Sequence, residues 1–382
     1  MRPLQGVVVV ALEHAVAAPF ATRQLADLGA RVIKVERPGS GDFARDYDRI
    51  AHGHSSYFVW LNRGKESVAL DIKSTGDRAV LDELVGRADV LIGNLGPGAL
   101  ERLGLDAETL RRSHPHLIHC SISGYGQGGP YDDRKAYDLL VQCETGMLSV
   151  TGTTDEPAKA GTSIADIAAG MYAYSGILTA LYRRERTGEG AELRVAMIDA
   201  LSEWMAQPAT VAAYSGAGPT RSGARHPTIA PYGPFRCGDG TIFLAVQNDR
   251  EWEALCRDLL GDGALAHDRR FKRNPDRVAH RDALERLVVE ATSRLPVIEV
   301  EAVLDRGGIA HARLRDADEL LTHPQLVARD RWGDVPVPGA ESVRGLLPPV
   351  QLIGDAPRLG AVPSLGEHTE AVLAELGMQR RR

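Results

Sequence analysis

The chain has 382 residues, more than a single hydrophobic core usually organises, so two domains are expected. With 45 basic residues against 51 acidic ones, the net charge of -6 argues against the polycationic face that binds nucleic acid phosphates. Cys120, Cys143, Cys237 and Cys256 are scattered without CxxC spacing, which points to neither a structural metal nor a disulfide framework and favours a reducing, cytoplasmic setting.

The residues from Met1 to Gly6 lead into an apolar run too brief for a secretion signal, and no stretch reads as long enough to span a bilayer. Val7 to Leu12 and Arg31 to Glu36 are β-branched runs with a helical pattern from Pro19 to Leu28 between them, which makes a βαβ unit. The alternation continues through a strand at Val68 to Leu70, a helix at Asp77 to Arg87 and a strand at Ala88 to Gly93. A short helix from Ala107 to Arg112 and a strand at Leu117 to Ser123 follow.

Such alternation predicts an α/β fold with a parallel sheet covered by helices. The dinucleotide fingerprint is missing, because Gly39-Ser40-Gly41 follows the second strand and lacks the third glycine. Asp166 to Arg184 is small and apolar, and Gly170 and Gly176 suit a closely packed, buried helix. A strand at Ala191 to Val195 and a helix at Met197 to Met205 come next, then a loop rich in Gly, Pro, Ser and Arg over Tyr214 to Pro234.

Thr241 to Val246 opens a second αβ region with amphipathic helices at Glu251 to Leu260 and Arg281 to Ser293. The tail carries Pro336, Pro338, Pro348, Pro349, Pro357 and Pro363 and shows little periodicity before a last helix at Thr369 to Leu376. The resulting division is a large Rossmann-like part over 1-213, a small domain with linkers over 214-323, and a segment over 324-382 that returns to the large domain.

Several segments stand in a meaningful order. They are Ala17-Ala18-Pro19 through Leu28-Gly29-Ala30-Arg31-Val32-Ile33-Lys34-Val35-Glu36-Arg37, and Asn62-Arg63-Gly64-Lys65 with Leu70-Asp71-Ile72-Lys73. Next come Asn94-Leu95-Gly96-Pro97-Gly98-Ala99, Ser123-Gly124-Tyr125-Gly126, and Gly161-Thr162-Ser163-Ile164-Ala165-Asp166-Ile167-Ala168-Ala169-Gly170. Each alone is weak; five in order resemble the family III coenzyme A transferases, a group that also contains α-methylacyl-CoA racemases.

The resemblance implies an interlocked homodimer of subunits with a Rossmann-like large domain and a small domain. It implies a CoA transferase with Asp166 as the covalent carrier and acyl-CoA and a carboxylic acid as substrates. No permanently bound cofactor, metal, nucleic acid or membrane is expected. For CoA it implies His14, Ala15 and Ala17 in the first loop, Arg37 after the second strand, and Leu70 and Lys73 after the third. Asn94, Leu95, Gly98, Ala99 and Arg102 follow, with Lys135 and Tyr137 in the loop before Asp166.

Arg37, Lys73, Arg102 and Lys135 fall near the carboxyl ends of strands, where open α/β sheets bind ligands, and cations there neutralise phosphate. On its own each reads as a solvated surface charge. Asp166 alone reads as a first-turn acid favoured by the helix dipole. A carboxylate can also store an acyl group as a mixed anhydride, which is the role the resemblance gives it.

Two departures shape the reading. Racemases carry a His-Asp pair after the Ser-Gly-Tyr-Gly segment, whereas this chain has Arg134-Lys135-Ala136-Tyr137-Asp138, with Ala136 taken as the histidine position, so a proton-shuttling base is missing. Val16 replaces a glutamine of the formyl-CoA transferase pattern, which implies a different acyl pocket. Glu144 is a candidate to influence substrate choice, or to pair with a nearby Arg. The segment from Arg225 to Phe235 resembles the branch that handles small dicarboxylates, with Arg221, Arg225 and His226 as candidate partners of a distal carboxylate.

Other classes fit less well. A noncatalytic CoA-binding protein needs no aspartate at Asp166. A nicotinamide dehydrogenase needs the absent glycine fingerprint. A serine hydrolase needs G-x-S-x-G, and Gly161-Thr162-Ser163-Ile164-Ala165 fails at its last position.

Overall fold

Val8–Leu12 (β1) is buried on both faces, and this is why it reads as an unbroken apolar run rather than an alternating one. It pairs in parallel with Arg31–Glu36 (β2) on one side and Val90–Gly93 (β4) on the other. Lys65–Ala69 (β3), Ile118–Ser123 (β5) and Glu192–Ala196 (β6) complete a six-stranded parallel sheet in the order β3-β2-β1-β4-β5-β6. This is the doubly wound order, whose direction reverses between β1 and β4. The computed structural model describes residues 2–354 and 359–379, so Pro357 lies outside the described residues.

The chain divides into two compact units. One comprises Met1–Gly146, Ala160–Ala206 and Val327–Arg382; the other comprises Met147–Lys159 and Gln207–Leu326. In the first, Val10, Leu12, Ile33, Val35, Val68 and Leu70 pack against Val80, Leu81, Leu84 and Val85 of the helix Thr75–Gly86. Val372 and Leu373 of the helix Thr369–Glu375 join that core.

The helix Ile164–Thr187 buries an alanine-rich face against Ala17–Asp27 (α1). Gly170 makes this possible: a Cβ there would lie 2.6 Å from the Ala17 carbonyl oxygen and 3.1 Å from Phe20. Gly176 has no such duty, since its nearest neighbour would be Leu193 at 3.6 Å. By length and composition this 24-residue helix could cross a membrane, contrary to the sequence expectation that no stretch is long enough. Here its Ala165, Ala168, Ala169 and Ala173 are buried in the α/β core instead. At its far end Arg184 holds Asp89 at 2.8 Å, and Asp89 accepts the Val8 N–H at the start of β1.

Some elements differ from the sequence expectation. β3 starts at Lys65 rather than Val68, because Lys65 and Ser67 are buried polar residues that disguise a core strand. The proline-rich tail contains an antiparallel hairpin, Trp332–Val335 with Val343–Leu346, whose Val335 and Val337 pack with Phe58, Val59 and Val362. The loop expected over Tyr214 to Pro234 is shortened at both ends by the helix Ala206–Ser215 and the strand Tyr232–Arg236.

The second unit pairs Tyr232–Arg236, Thr241–Ala245 and Ala310–Arg313 in an antiparallel sheet. Its core holds Trp252, Phe271, Leu255, Leu284, Val288, Val300 and Leu304. The helix expected to run to Leu260 is α-helical over Asp249–Ala254 and then widens, Leu260 N–H reaching the Leu255 carbonyl at 3.0 Å.

Candidate active site

The loop after β1 lies at the reversal of strand order, and its backbone is fixed from two sides. His14 N–H donates to Asn94 Oδ1 at 3.0 Å, and Asn94 Nδ2 donates back to the His14 carbonyl at 2.9 Å. Asn94 directly follows β4, so the two central strands are stapled where they end. Ala15 adopts φ +59°, a left-handed conformation that costs an L-residue about 1 kcal/mol. Its N–H donates to Asp42 Oδ1 at 3.1 Å. Val16 and Ala17 are buried, and Ala17 opens α1.

Asp166 lies in the first turn of the helix Ile164–Thr187, but its carboxylate does not cap that helix. Asp138 does so from a separate helix, Asp138–Glu144, its Oδ1 accepting the N–H groups of Ala165 at 2.7 Å and Asp166 at 3.4 Å. Gln142 fixes Asp138 by donating to Oδ2 at 2.6 Å, and its own Oε1 accepts the Ala160 N–H at 2.9 Å. The Asp166 carboxylate is left facing the Ala17 N–H, one of the free donors at the start of α1.

Burial raises the Asp166 carboxyl, the negative charge of Asp138 adds to this, and the Ala17 N–H partly opposes both. The carboxyl is pushed up to about 7. Near neutral pH it is therefore divided between acid and carboxylate, a state that pKa perturbation commonly produces at reactive positions.

Beneath the loop lies an ion cluster in which the Lys34, Lys65, Glu13 and Asp42 side chains are shut off from solvent. Lys34 Nζ is 2.8 Å from Asp42 and 3.4 Å from Glu13, and Lys65 Nζ is 2.6 Å from Glu13. Thr22 donates to Glu13 at 2.7 Å, while Arg45 and Ser67 donate to Glu36. Glu36 in turn accepts the Asp42 N–H at 3.0 Å. By formal charge Lys34, Lys65 and Arg45 balance Glu13, Asp42 and Glu36, while burial pushes the Lys65 ammonium down to about 7 against the pull of Glu13. Burial alone would raise the Glu13 and Asp42 carboxyls; the adjacent ammonium groups outweigh it and hold both below their ordinary range.

An aromatic chain lies alongside. His14 stacks at a tilt on Phe43 with centroids 4.8 Å apart, Phe43 meets Tyr47 at 5.8 Å, and Tyr47 meets Tyr57 at 5.4 Å. Burial first, then the charges of Asp42 and Asp166, push the Tyr47 hydroxyl up to about 12, so it remains protonated and able to donate. Tyr47, Asp42 and Asp138 are residues that sequence reasoning did not assign to the site. Asp138 alone had a signal, standing within the segment compared with the racemase pair.

The remaining candidates are placed as follows. Arg37, Lys73 and Lys135 are exposed. Leu70 is buried just after β3, and Leu95 packs into the sheet core. Gly98, at φ +65°, precedes the short helix Ala99–Arg102, and Arg102 folds back to donate to the Pro97 carbonyl at 3.0 Å. Tyr137 is exposed and precedes the helix Asp138–Glu144; Glu144 at its other end lies 4.0 Å from Arg134. In the second unit Arg221 donates to the Thr153 and Thr154 carbonyls, Arg225 pairs with Glu285 at 2.7 Å, and His226 stacks on Tyr232.

In the segment compared with racemases, Ala136 packs where a Cβ on Gly124 would be, and Tyr137 adjoins Asp138. No histidine stands at either position. Among the described residues no cluster of three or more His, Cys, Asp and Glu side chains gathers as a metal site.

A doubly wound parallel sheet with a half-buried carboxylate facing its switch-point loop defines an α/β protein with an acidic site at the reversal of strand order. The CoA-transferase family III profile matches residues 4–369, and the chain belongs to that family. It is 40% identical over 342 residues to the acetyl-CoA:oxalate CoA-transferase of Acetobacter aceti, covering 88% of each chain. It is 37% identical over 384 residues to the succinate–glutarate CoA-transferase of Agrobacterium fabrum, covering 98% of this chain and 96% of the relative. A CAIB/BAIF family protein from Brucella suis superposes with a TM-score of 0.87 at 37% identity, covering 98% of this chain and 99% of its own. The chain is thus a CoA-transferase enzyme.

Proposed function

We propose that the enzyme moves CoA between an acyl-CoA and a small free dicarboxylic acid, with Asp166 carrying first the acyl group and then CoA. The observation that carries this reading is the Asp166 carboxylate, half-buried, facing the Ala17 N–H at the start of α1 and poised near neutrality. The named substrates of both relatives, oxalate in one and succinate and glutarate in the other, support the dicarboxylate class.

In this scheme the ionised Asp166 attacks the acyl-CoA carbonyl, the C–S bond breaks, and CoA leaves as thiolate from a mixed anhydride. The thiolate then attacks the aspartyl carbonyl, releasing the first acid and leaving an aspartyl-CoA thioester. The incoming carboxylate attacks that thioester to form a second anhydride and free the thiolate again. Attack of the thiolate on the new acyl carbonyl gives the product and restores Asp166. Retaining thiolate and anhydride in one site makes each step effectively unimolecular, at effective molarities on the order of 10⁵ M or more.

Exposed Arg37 and Lys135 are the cations we assign to the CoA phosphates, together with the backbone of the first loop and of the Asn94 to Ala99 segment. The family resemblance further supports an interlocked homodimer. A racemase reading lacks its base, since no histidine stands in Arg134-Lys135-Ala136-Tyr137-Asp138. The test is a panel of mono- and dicarboxylic acids with succinyl-CoA as donor, for wild type and Asp166→Ala. Transfer to dicarboxylates that vanishes in the variant supports the proposal; preference for long monocarboxylates, or transfer by the variant, refutes it.

A further inference from the structure

We propose that Asp42 is a positioning residue for Asp166: its carboxylate holds Ala15 in the left-handed conformation and thereby aims the Ala17 N–H at the nucleophile. This inference rests on the catalytic reading of Asp166 given above.

Asp42 Oδ1 accepts two backbone donors, Ala15 at 3.1 Å and Ala44 at 2.9 Å. Its Oδ2 accepts Lys34 Nζ at 2.8 Å, and its own N–H is tied to Glu36 at 3.0 Å. Glu36 is itself held by Arg45 and Ser67. Every polar group of Asp42 engaged in this way leaves it no second rotamer with equal bonding, and it is 4% exposed, so water cannot replace a lost partner. A non-glycine residue at positive φ persists where surrounding contacts over-determine it. Ala15 is such a residue, with Asn94 fixing His14 on one side and Asp42 fixing Ala15 itself. The next N–H but one is that of Ala17, which favours the ionised form of Asp166.

A purely structural role is the alternative, in which Asp42 only neutralises Lys34. The two roles differ in sign. Lys34, Lys65, Glu36, His14 and Tyr47 face Asp42, and Asp138 and Tyr47 face Asp166. Deleting the negative charge of Asp42 lowers the pKa of His14, and through space it would also lower that of Asp166. Loss of the Ala17 N–H instead raises Asp166.

The experiment compares kcat and KM of the full-length enzyme from pH 5.5 to 9 for wild type, Asp42→Asn and Thr22→Val. Thr22→Val removes a hydrogen bond to Glu13 in the same buried cluster without touching Asp42 or Ala15. In Asp42→Asn the amide oxygen stays on the Lys34 ammonium, which turns the NH2 towards the Ala15 and Ala44 N–H groups and breaks the contact to Ala15. We therefore expect the acid limb of kcat to move upward by about one pH unit, the scale of one charge-assisted hydrogen bond. The kcat at pH 7 then falls about fivefold and recovers at pH 9, with KM within about twofold of wild type. Thr22→Val should leave the limb in place. An unmoved or lowered limb in folded Asp42→Asn overturns the inference. Should Asp42→Asn not fold, Asp42→Glu keeps the charge beside Lys34 but displaces the oxygen shared by Ala15 and Ala44, and the same limb decides. Asp166→Ala runs in parallel: transfer by that variant refutes the catalytic reading itself, whereas an inactive Asp166→Ala beside an unmoved Asp42 limb refutes only the role of Asp42.

Discussion

Asp138 accepts the backbone N–H of Asp166 at 3.4 Å while its charge opposes ionisation of the Asp166 side chain. One carboxylate thus builds the helix start that carries the other and makes that other harder to ionise. Asp138→Asn keeps an oxygen for the two helix N–H groups and removes the charge. The acid limb of kcat, expected near pH 7 in the wild type, should move down by up to about one unit. A pH-rate profile checks this, and an unmoved limb would show that Asp138 does not tune the nucleophile.

The same displacement has a cost in stability. The folded pKa of Asp166, about 7, exceeds its ordinary value of 3.8, so the folded protein binds that proton more tightly than the unfolded chain. Stability contributed at this position is therefore complete below about pH 4 and is lost as pH rises towards 7. Asp166→Asn should be more stable than wild type by roughly 1–3 kcal/mol at pH 8, discounted for partial exposure, with a smaller gain at pH 5. Thermal melts of the ligand-free protein at both values measure the difference.

Gly170 sets the distance between the helix that bears Asp166 and the start of α1. Gly170→Ala places a Cβ within 2.6 Å of the Ala17 carbonyl, which forces the two helices apart. The substitution should destabilise by about 1–3 kcal/mol in urea denaturation and lower kcat more than KM, because it moves the Ala17 N–H from Asp166. Gly176→Ala, whose Cβ meets only Leu193 at 3.6 Å, should be nearly neutral in both assays.

Arg37 follows β2 and is exposed, so it is free to meet an anionic ligand. Arg37→Ala should raise the KM for acyl-CoA about tenfold with kcat little changed, the mark of binding shared by ground and transition states. Steady-state kinetics with varied acyl-CoA tests it, and an unchanged KM would remove Arg37 from the phosphate site.

The sheet was legible because β1 and β4 are buried on both faces and spell unbroken apolar runs, while β2 and β5 keep a buried apolar set in Val32, Ile33, Val35, Ile118, Cys120 and Ile122. Asp166 was legible only through its neighbours from Gly161 to Gly170, since a first-turn acid has no distinguishing pattern of its own. Lys34, Lys65, Glu13 and Asp42 were hidden for a physical reason. Charged residues in a sequence read as solvent-facing, and their burial depends on partners as far apart as Glu13 and Lys65, joined only by the fold. Asp138 was hidden likewise, because a carboxylate capping a helix 27 residues away leaves no local signature. The hairpin at Trp332–Val335 and Val343–Leu346 was masked by prolines that read as loop.

The most direct measurement is chemical trapping of the carrier. Wild-type enzyme incubated with succinyl-CoA and quenched with hydroxylamine should yield, on peptide mass analysis, a hydroxamate on Asp166 and on no other carboxylate. Unmodified Asp166 in an enzyme that is turning over, or the modification on another residue, would contradict the account.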